Sequence, residues 1–155
     1  MITFRVDNLD RRTVNLSELV TDLVIRLTPI AEMRDVQIKL EAGEAIQVSA
    51  DVILIQNAIR NLIDNALKYA PQESVVDIVV VANPRPEISI KDEGTGFPNE
   101  EMHILANRFE RGSNSESITG SGLGLTIAQE VAEAHGGRLS LSNQVKGGAC
   151  VTFSF

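Results

Sequence analysis

The chain reads as an α/β (α+β) two-layer sandwich. Three helices cover one face of a mixed, mostly antiparallel sheet of about five strands, and a long lid precedes the last helix. Three observations predict this. Helical and strand periodicities interleave in the order helix, strand, helix, two strands, lid, helix, two strands. The hydrophobic share of 43% is enough for one core in 155 residues, and the charged share of 23% is ordinary for a globular domain. Residues 94–122 are rich in turn formers, and a loop that long inside a domain is usually a binding loop or lid.

The elements follow in order. Residues 15–33 repeat apolar side chains at Leu16, Leu19, Val20, Leu23, Val24 and Leu27, a helical period. Asn15 is the expected N-cap, with Glu18 three residues on, and Pro29 is expected to kink or interrupt the helix. Residues 36–40 alternate as a strand, and 46–49 read as a short second one. Residues 51–70 form a second helix closed by Pro71. Residues 75–82 and 87–91 pair as strands around Asn83-Pro84-Arg85-Pro86. A short helix is expected near 100–107, and a third full helix over 123–135, ended by Gly136-Gly137. Residues 138–142 and 150–155 close the chain as strands, with Gly147-Gly148 at their turn.

Charge narrows the function classes. Fourteen basic against 21 acidic residues give a net charge of −7. That argues against nucleic acid or an anionic membrane as the main partner, since both need a basic footprint. A nucleotide remains allowed, because it needs only local cations and aligned backbone N–H groups. The lone cysteine, Cys150, reads as a reduced core residue, which fits a cytoplasmic setting. The N-terminus lacks the apolar stretch of a signal peptide, and the longest apolar run, 78–82, is far too short to span a bilayer.

Three segments carry candidate chemistry. On the second helix, Asn57, Asn61, Asp64, Asn65 and Lys68 share one face, opposite Ile55, Ile59, Leu62, Ile63 and Ala66. A polar stripe is ordinarily a solvated face. Asparagine, however, is a poor helix former, and a merely solvated face would use Glu, Lys or Arg. An amide oxygen is a hard, neutral ligand suited to Mg²⁺ on a triphosphate, and Lys68 can reach phosphate as a point charge. At the end of the strand over 87–91, Asp92-Glu93-Gly94-Thr95-Gly96-Phe97 reads either as an ordinary turn or as an adenine pocket. In the second reading Asp92 accepts from the exocyclic amine and the glycines let the backbone approach. At the third helix, Gly120-Ser121-Gly122-Leu123-Gly124 offers N–H groups to an anion, although a flexible hinge would use the same glycines. Neither a Walker motif nor a dinucleotide fingerprint matches there.

In this order the three segments resemble the N box and the two glycine boxes of bacterial sensor histidine kinases, whose superfamily includes gyrase, a heat-shock chaperone and the MutL repair protein. Residues 61–69 are similar to the N box throughout, and 106–112 resemble the F box. Ala134-His135-Gly136-Gly137 and Gly147-Gly148 resemble the elements that close such domains. The resemblance spans about residues 15–155 and implies the Bergerat-type fold, with residues 1–14 a connector remnant from a preceding helical dimerisation and phosphoacceptor domain.

The resemblance also implies roles. Asn65 would be the main Mg²⁺ ligand, with Asn61 beside it. Lys68 would contact phosphate, and Tyr69 would stack near the adenine. Asp92 would read the base amine, with Gly94, Gly96 and Phe97 shaping its pocket. Arg111 would approach the γ-phosphate, and Gly120, Gly122, Leu123 and Gly124 would close over the phosphates. Ala106 departs from the usual first phenylalanine of the F box, leaving Phe109 as lid anchor, and Glu93 stands where asparagine is frequent. His135 matches a helix-end pattern and reads as a C-terminal cap; His103 reads as solvated.

The function so implied is a histidine protein kinase catalytic domain of a two-component system, binding ATP and Mg²⁺. It would pass phosphate to a histidine on a separate helical domain, for relay to a response regulator. The isolated domain is expected to be a cytoplasmic monomer without nucleic-acid or direct membrane contact, part of a membrane-bound sensor. Two rival classes remain: a non-catalytic nucleotide-binding interaction module, and an ATP-hydrolysing member of the superfamily with Asp64 or Asp51 activating water. An anti-sigma-factor serine kinase shares the fold but lacks this style of F box.

Overall fold

The computed structural model describes residues 8–94, 96, 120–145 and 147–155, the side chains of 120–124 excepted. Its elements are β1 (Arg11–Asn15), α1 (Leu16–Met33), β2 (Val36–Ala42), β3 (Gln47–Asp51), α2 (Val52–Tyr69), β4 (Ser74–Val81), β5 (Glu87–Lys91), α3 (Gly120–Ala134), β6 (Arg138–Asn143) and β7 (Ala149–Ser154). Five strands form the main sheet in the order β2-β4-β5-β7-β6. Only β2 and β4 run parallel; every other neighbour in this sheet is antiparallel. One face of the sheet supplies Val76, Ile78, Val80, Ile88, Ile90, Val151 and Phe153 to the core, as the period of two demands. The three helices close that face with Leu16, Val20, Leu23 and Leu27 from α1, Ile55, Ile59, Leu62 and Ile63 from α2, and Leu125, Ala128 and Val131 from α3. The expected two-layer sandwich is the observed one.

Each helix is bounded by its own sequence. Asn15 caps α1 by accepting the Glu18 N–H at 3.1 Å, and Asp51 caps α2 by accepting that of Leu54 at 3.3 Å. At the end of α3, Gly136 takes φ +83°. Its N–H reaches Glu133 O at 3.0 Å while that of Gly137 reaches Ala132 O at 2.9 Å, the paired bonds of a Schellman motif.

Three details differ from the expectation. Pro29 does not interrupt α1, which runs through it to Met33. Pro29 and Ile25 are both exposed, so the Ile25 carbonyl that loses its helical N–H partner lies on the solvent side, where water can serve it. The third helix begins at Gly120 rather than Leu123. Residues 11–14, read as connector, form most of β1, which pairs antiparallel with β3 in a second, two-stranded sheet (Val14 opposite Val48). The packed unit therefore takes in Arg11. Among the described residues, no helix is long and apolar enough to cross a membrane. The lid helix expected over 100–107 lies outside the described residues.

Candidate nucleotide site

On α2 the polar stripe is real. Asn57, Asn61, Asp64 and Lys68 are exposed and Asn65 is half-buried, while Ile55, Ala58, Ile59, Leu62, Ile63, Ala66 and Leu67 are buried on the other side. The Asn61 and Asn65 amides, one turn apart, hydrogen bond to no other described residue, and no described carboxylate pairs with Lys68. Tyr69, at the helix end, is 46% exposed.

Asp92 lies just past the last residue of β5 and is buried. Its Oδ1 accepts two backbone N–H groups, from Gly94 at 2.8 Å and Ala149 at 3.3 Å. Oδ2 accepts from no described donor. A carboxylate with one oxygen locked into the fold and the other left over is preset as an acceptor for a ligand N–H. The turn it caps is pressed against α2: a Cβ on Gly94 would come within 2.6 Å of the Tyr69 carbonyl oxygen. Gly96, at φ +83°, is pressed against the opposite wall, where a Cβ would come within 2.7 Å of Asn143 Oδ1. The glycines thus hold the Asp92 turn between the end of α2 and the β6–β7 hairpin.

The third segment comes to the same helix. α3 packs along α2, and its first turn carries the N–H groups of Gly120, Ser121, Gly122 and Leu123, which have no helical carbonyl partner. α2 is therefore the shared neighbour, touching the Asp92 turn at its end and α3 along its side. Gly124 lies in the next turn of α3. Phe97, His103, Phe109 and Arg111 lie outside the described residues.

Among the described residues no group of three His, Cys, Asp or Glu side chains could hold a metal ion. The available donors are the neutral amides of Asn61 and Asn65. Such a set fits a cation that arrives already bound to phosphate oxygens and keeps several waters, as Mg²⁺ does.

All three of these segments fall within a longer match. The family model described as histidine kinase-, DNA gyrase B-, and HSP90-like ATPase matches residues 50–155, from just before the α2 cap to the last strand. The chain belongs to that ATPase family. Sensor protein QseC of Salmonella typhi is 35% identical over 150 residues, 93% of this chain and 32% of its own length. The chain thus spans about a third of such curated relatives. Among solved structures, the ATP binding domain of PrrB from Mycobacterium tuberculosis superposes with a TM-score of 0.74 at 25% identity, covering 94% of this chain and 96% of that one. The catalytic domain of histidine kinase ThkA, at 21% identity, shares the fold with a TM-score of 0.79 over 95% of both chains.

The structure gives one sequence candidate a different role and adds a second bond to another. Asp51, a candidate for activating water, is committed to structure: Oδ1 caps α2 and Oδ2 accepts the Asp10 N–H at 3.1 Å. His135 does bond the end of its own helix, Nδ1 lying 2.7 Å from Val131 O, but its other ring nitrogen reaches Asp51. Gln144 went unnoticed. It lies in the β6–β7 turn, a class of position whose side chains are mostly solvated, and no local pattern marked it.

Proposed function

We propose that this chain is the Mg-ATP-binding catalytic domain of a two-component sensor histidine kinase. It would transfer the γ-phosphoryl group to a histidine on a separate helical domain, for relay to a response regulator. The observation that carries the reading is the buried Asp92. Its Oδ1 is spent on two backbone N–H groups and its Oδ2 is left as an acceptor, beside a helix whose exposed face offers two unengaged amides and a lysine. A spare acceptor on a buried carboxylate favours a base that carries an amine at C6, as adenine does, where guanine carries a carbonyl.

In this reading Asn65 and Asn61 orient the hydrated cation that accompanies the triphosphate, and Mg²⁺ supplies charge neutralisation when bound. Lys68 meets phosphate oxygens from the exposed end of the same face. Tyr69 and Gly94 form one wall of the base pocket, with Gly96 and Phe97 continuing it. The first-turn N–H groups of α3, at Gly120, Gly122 and Leu123, with Gly124 behind them, meet phosphate from the opposite side. Arg111 approaches the γ-phosphate. Residues N-terminal to Arg11 would connect to the helical domain that carries the acceptor histidine.

Calorimetric titration with ATP, with and without Mg²⁺, tests the binding reading: tight binding that needs Mg²⁺ supports it, and absence of binding overturns it. With γ-labelled ATP the chain alone should stay unlabelled, since its acceptor lies elsewhere; label on this chain refutes that division of labour. Steady ATP hydrolysis lost in Asp64→Ala would instead favour the hydrolysing members of the family.

A further inference from the structure

The β5–β7 ladder runs out at Asp92. The Asp92 N–H still donates to Ala149 O at 3.0 Å, continuing the antiparallel pairing of Lys91 with Cys150. Beyond that the chain turns away through Gly94, and the carbonyl of a buried residue is left without a next strand rung. A single side chain takes the vacant place: Gln144 Nε2 donates to Asp92 O at 2.9 Å and reaches Ala149 O at 3.4 Å. Its backbone is fixed for the task, because the Gln144 N–H donates to Gly148 O at 2.8 Å and Gln144 O accepts that of Gly147 at 3.0 Å. Gly148 is held at φ +101°, where a Cβ would collide with the Asp92 carbonyl oxygen. The hairpin turn can approach Asp92 this closely only because residue 148 has no side chain.

We infer that Gln144 is a positioning residue for base recognition, clamping the Asp92 carbonyl so that the outward carboxylate oxygen is held at a fixed height and angle. This rests on the reading of Asp92 as the group that meets the adenine amine. The clamp acts through geometry. Asp92 Oδ1 accepts the Gly94 N–H, which moves with the 92–93 peptide, so a tilt of that peptide pulls the carboxylate away from its Ala149 anchor and shifts the free oxygen. Removing the Gln144 donor leaves the Asp92 carbonyl with no described donor, while Ala149 O keeps the Asp92 N–H, and the 92–93 peptide is free to tilt towards other donors. A carboxylate in place of the amide does worse, since it sets a negative oxygen against both carbonyls.

The experiment compares ATP with inosine triphosphate, which has a carbonyl where adenine has its amine. The parent, Gln144→Met, Gln144→Glu and Asp92→Asn are each titrated with both nucleotides in Mg²⁺. Gln144→Met keeps the chain length and removes the donor, so it carries the test even if the glutamate variant folds poorly. The parent should prefer ATP. That preference should fall roughly fivefold or more in both Gln144 variants, the scale of one net hydrogen bond. An equal loss of affinity for both nucleotides, or a preference unchanged from the parent, would show that Gln144 serves only the fold and overturns the assignment. A parent with no preference for ATP, or a preference that survives Asp92→Asn, overturns the Asp92 reading itself, which is a separate failure.

Discussion

His135 Nε2 accepts the backbone N–H of Asp51 at 3.0 Å, joining positions 84 residues apart. A peptide N–H can only donate, so Nε2 must present its lone pair. The proton of the ring then lies on Nδ1, which donates to Val131 O at 2.7 Å. One buried imidazole therefore ties the end of α3 to the cap of α2, the two helices that flank the proposed phosphate site. Its ring also stands edge-on to Phe155, with centroids 6.4 Å apart.

His135→Ala deletes both bonds and leaves the Asp51 N–H and a buried gap behind. The expected loss is about 2–3 kcal/mol of unfolding free energy, read from urea denaturation at neutral pH. A loss under about 0.5 kcal/mol would mean that water replaces the ring without cost and that the tie is incidental.

Asn65→Ala should behave in the opposite way. Asn65 is half-buried on the polar face of α2 and makes no bond to the described fold, and alanine is the better helix former. Stability should change by less than about 0.5 kcal/mol or rise slightly, while Mg²⁺-dependent ATP affinity drops by a factor of at least about ten. The two variants together separate residues that hold the helices from residues that meet the ligand. Parent-like affinity in Asn65→Ala would remove it from the ligand set.

Much of this was legible in the chain. Caps were readable where they are local and patterned: Asn15 accepts an N–H three residues on, and Gly136-Gly137 ends α3 by bonds reaching back three and five residues, whereas nothing in the context of Asp51 set its equally local cap role above activation of water. The polar stripe of α2 was readable because three asparagines in a helix have a cost that needs a reason. β1 was not. Three of its five residues are exposed and only Val14 is buried, so it carries no alternation to detect; its pairing with β3 spans more than thirty residues. Gln144 and the second bond of His135 were hidden for the same reason, since each depends on where a distant backbone group ends up.

Asp92→Asn is an isosteric change with a defined direction. The side-chain oxygen can keep the Gly94 and Ala149 N–H groups, so the turn should survive. The outward position then becomes an NH₂ donor facing the adenine amine, donor against donor. ATP affinity should fall about tenfold or more, while inosine triphosphate loses little or gains. Equal weakening of both, measured by calorimetry, would place Asp92 in the fold rather than against the base.

The Gly147-Gly148 pair allows a controlled comparison of backbone strain with collision. Both residues hold positive φ, +96° and +101°, so alanine at either position meets the same left-handed penalty of about 1–2 kcal/mol. Around Gly147 nothing lies within 4 Å of an added Cβ, whereas at Gly148 the methyl runs into the Asp92 carbonyl and the Glu93 Cα. Backbone atoms cannot step aside as a flexible side chain can, so the hairpin must retreat from Asp92 and take the Gln144 clamp with it. Gly148→Ala should therefore cost at least about 2 kcal/mol more than Gly147→Ala in urea denaturation. It should also erode the preference for ATP over inosine triphosphate, which Gly147→Ala should leave intact. Equal stability costs for the two variants would mean that the close approach of the hairpin to Asp92 relaxes freely and cannot fix the carboxylate.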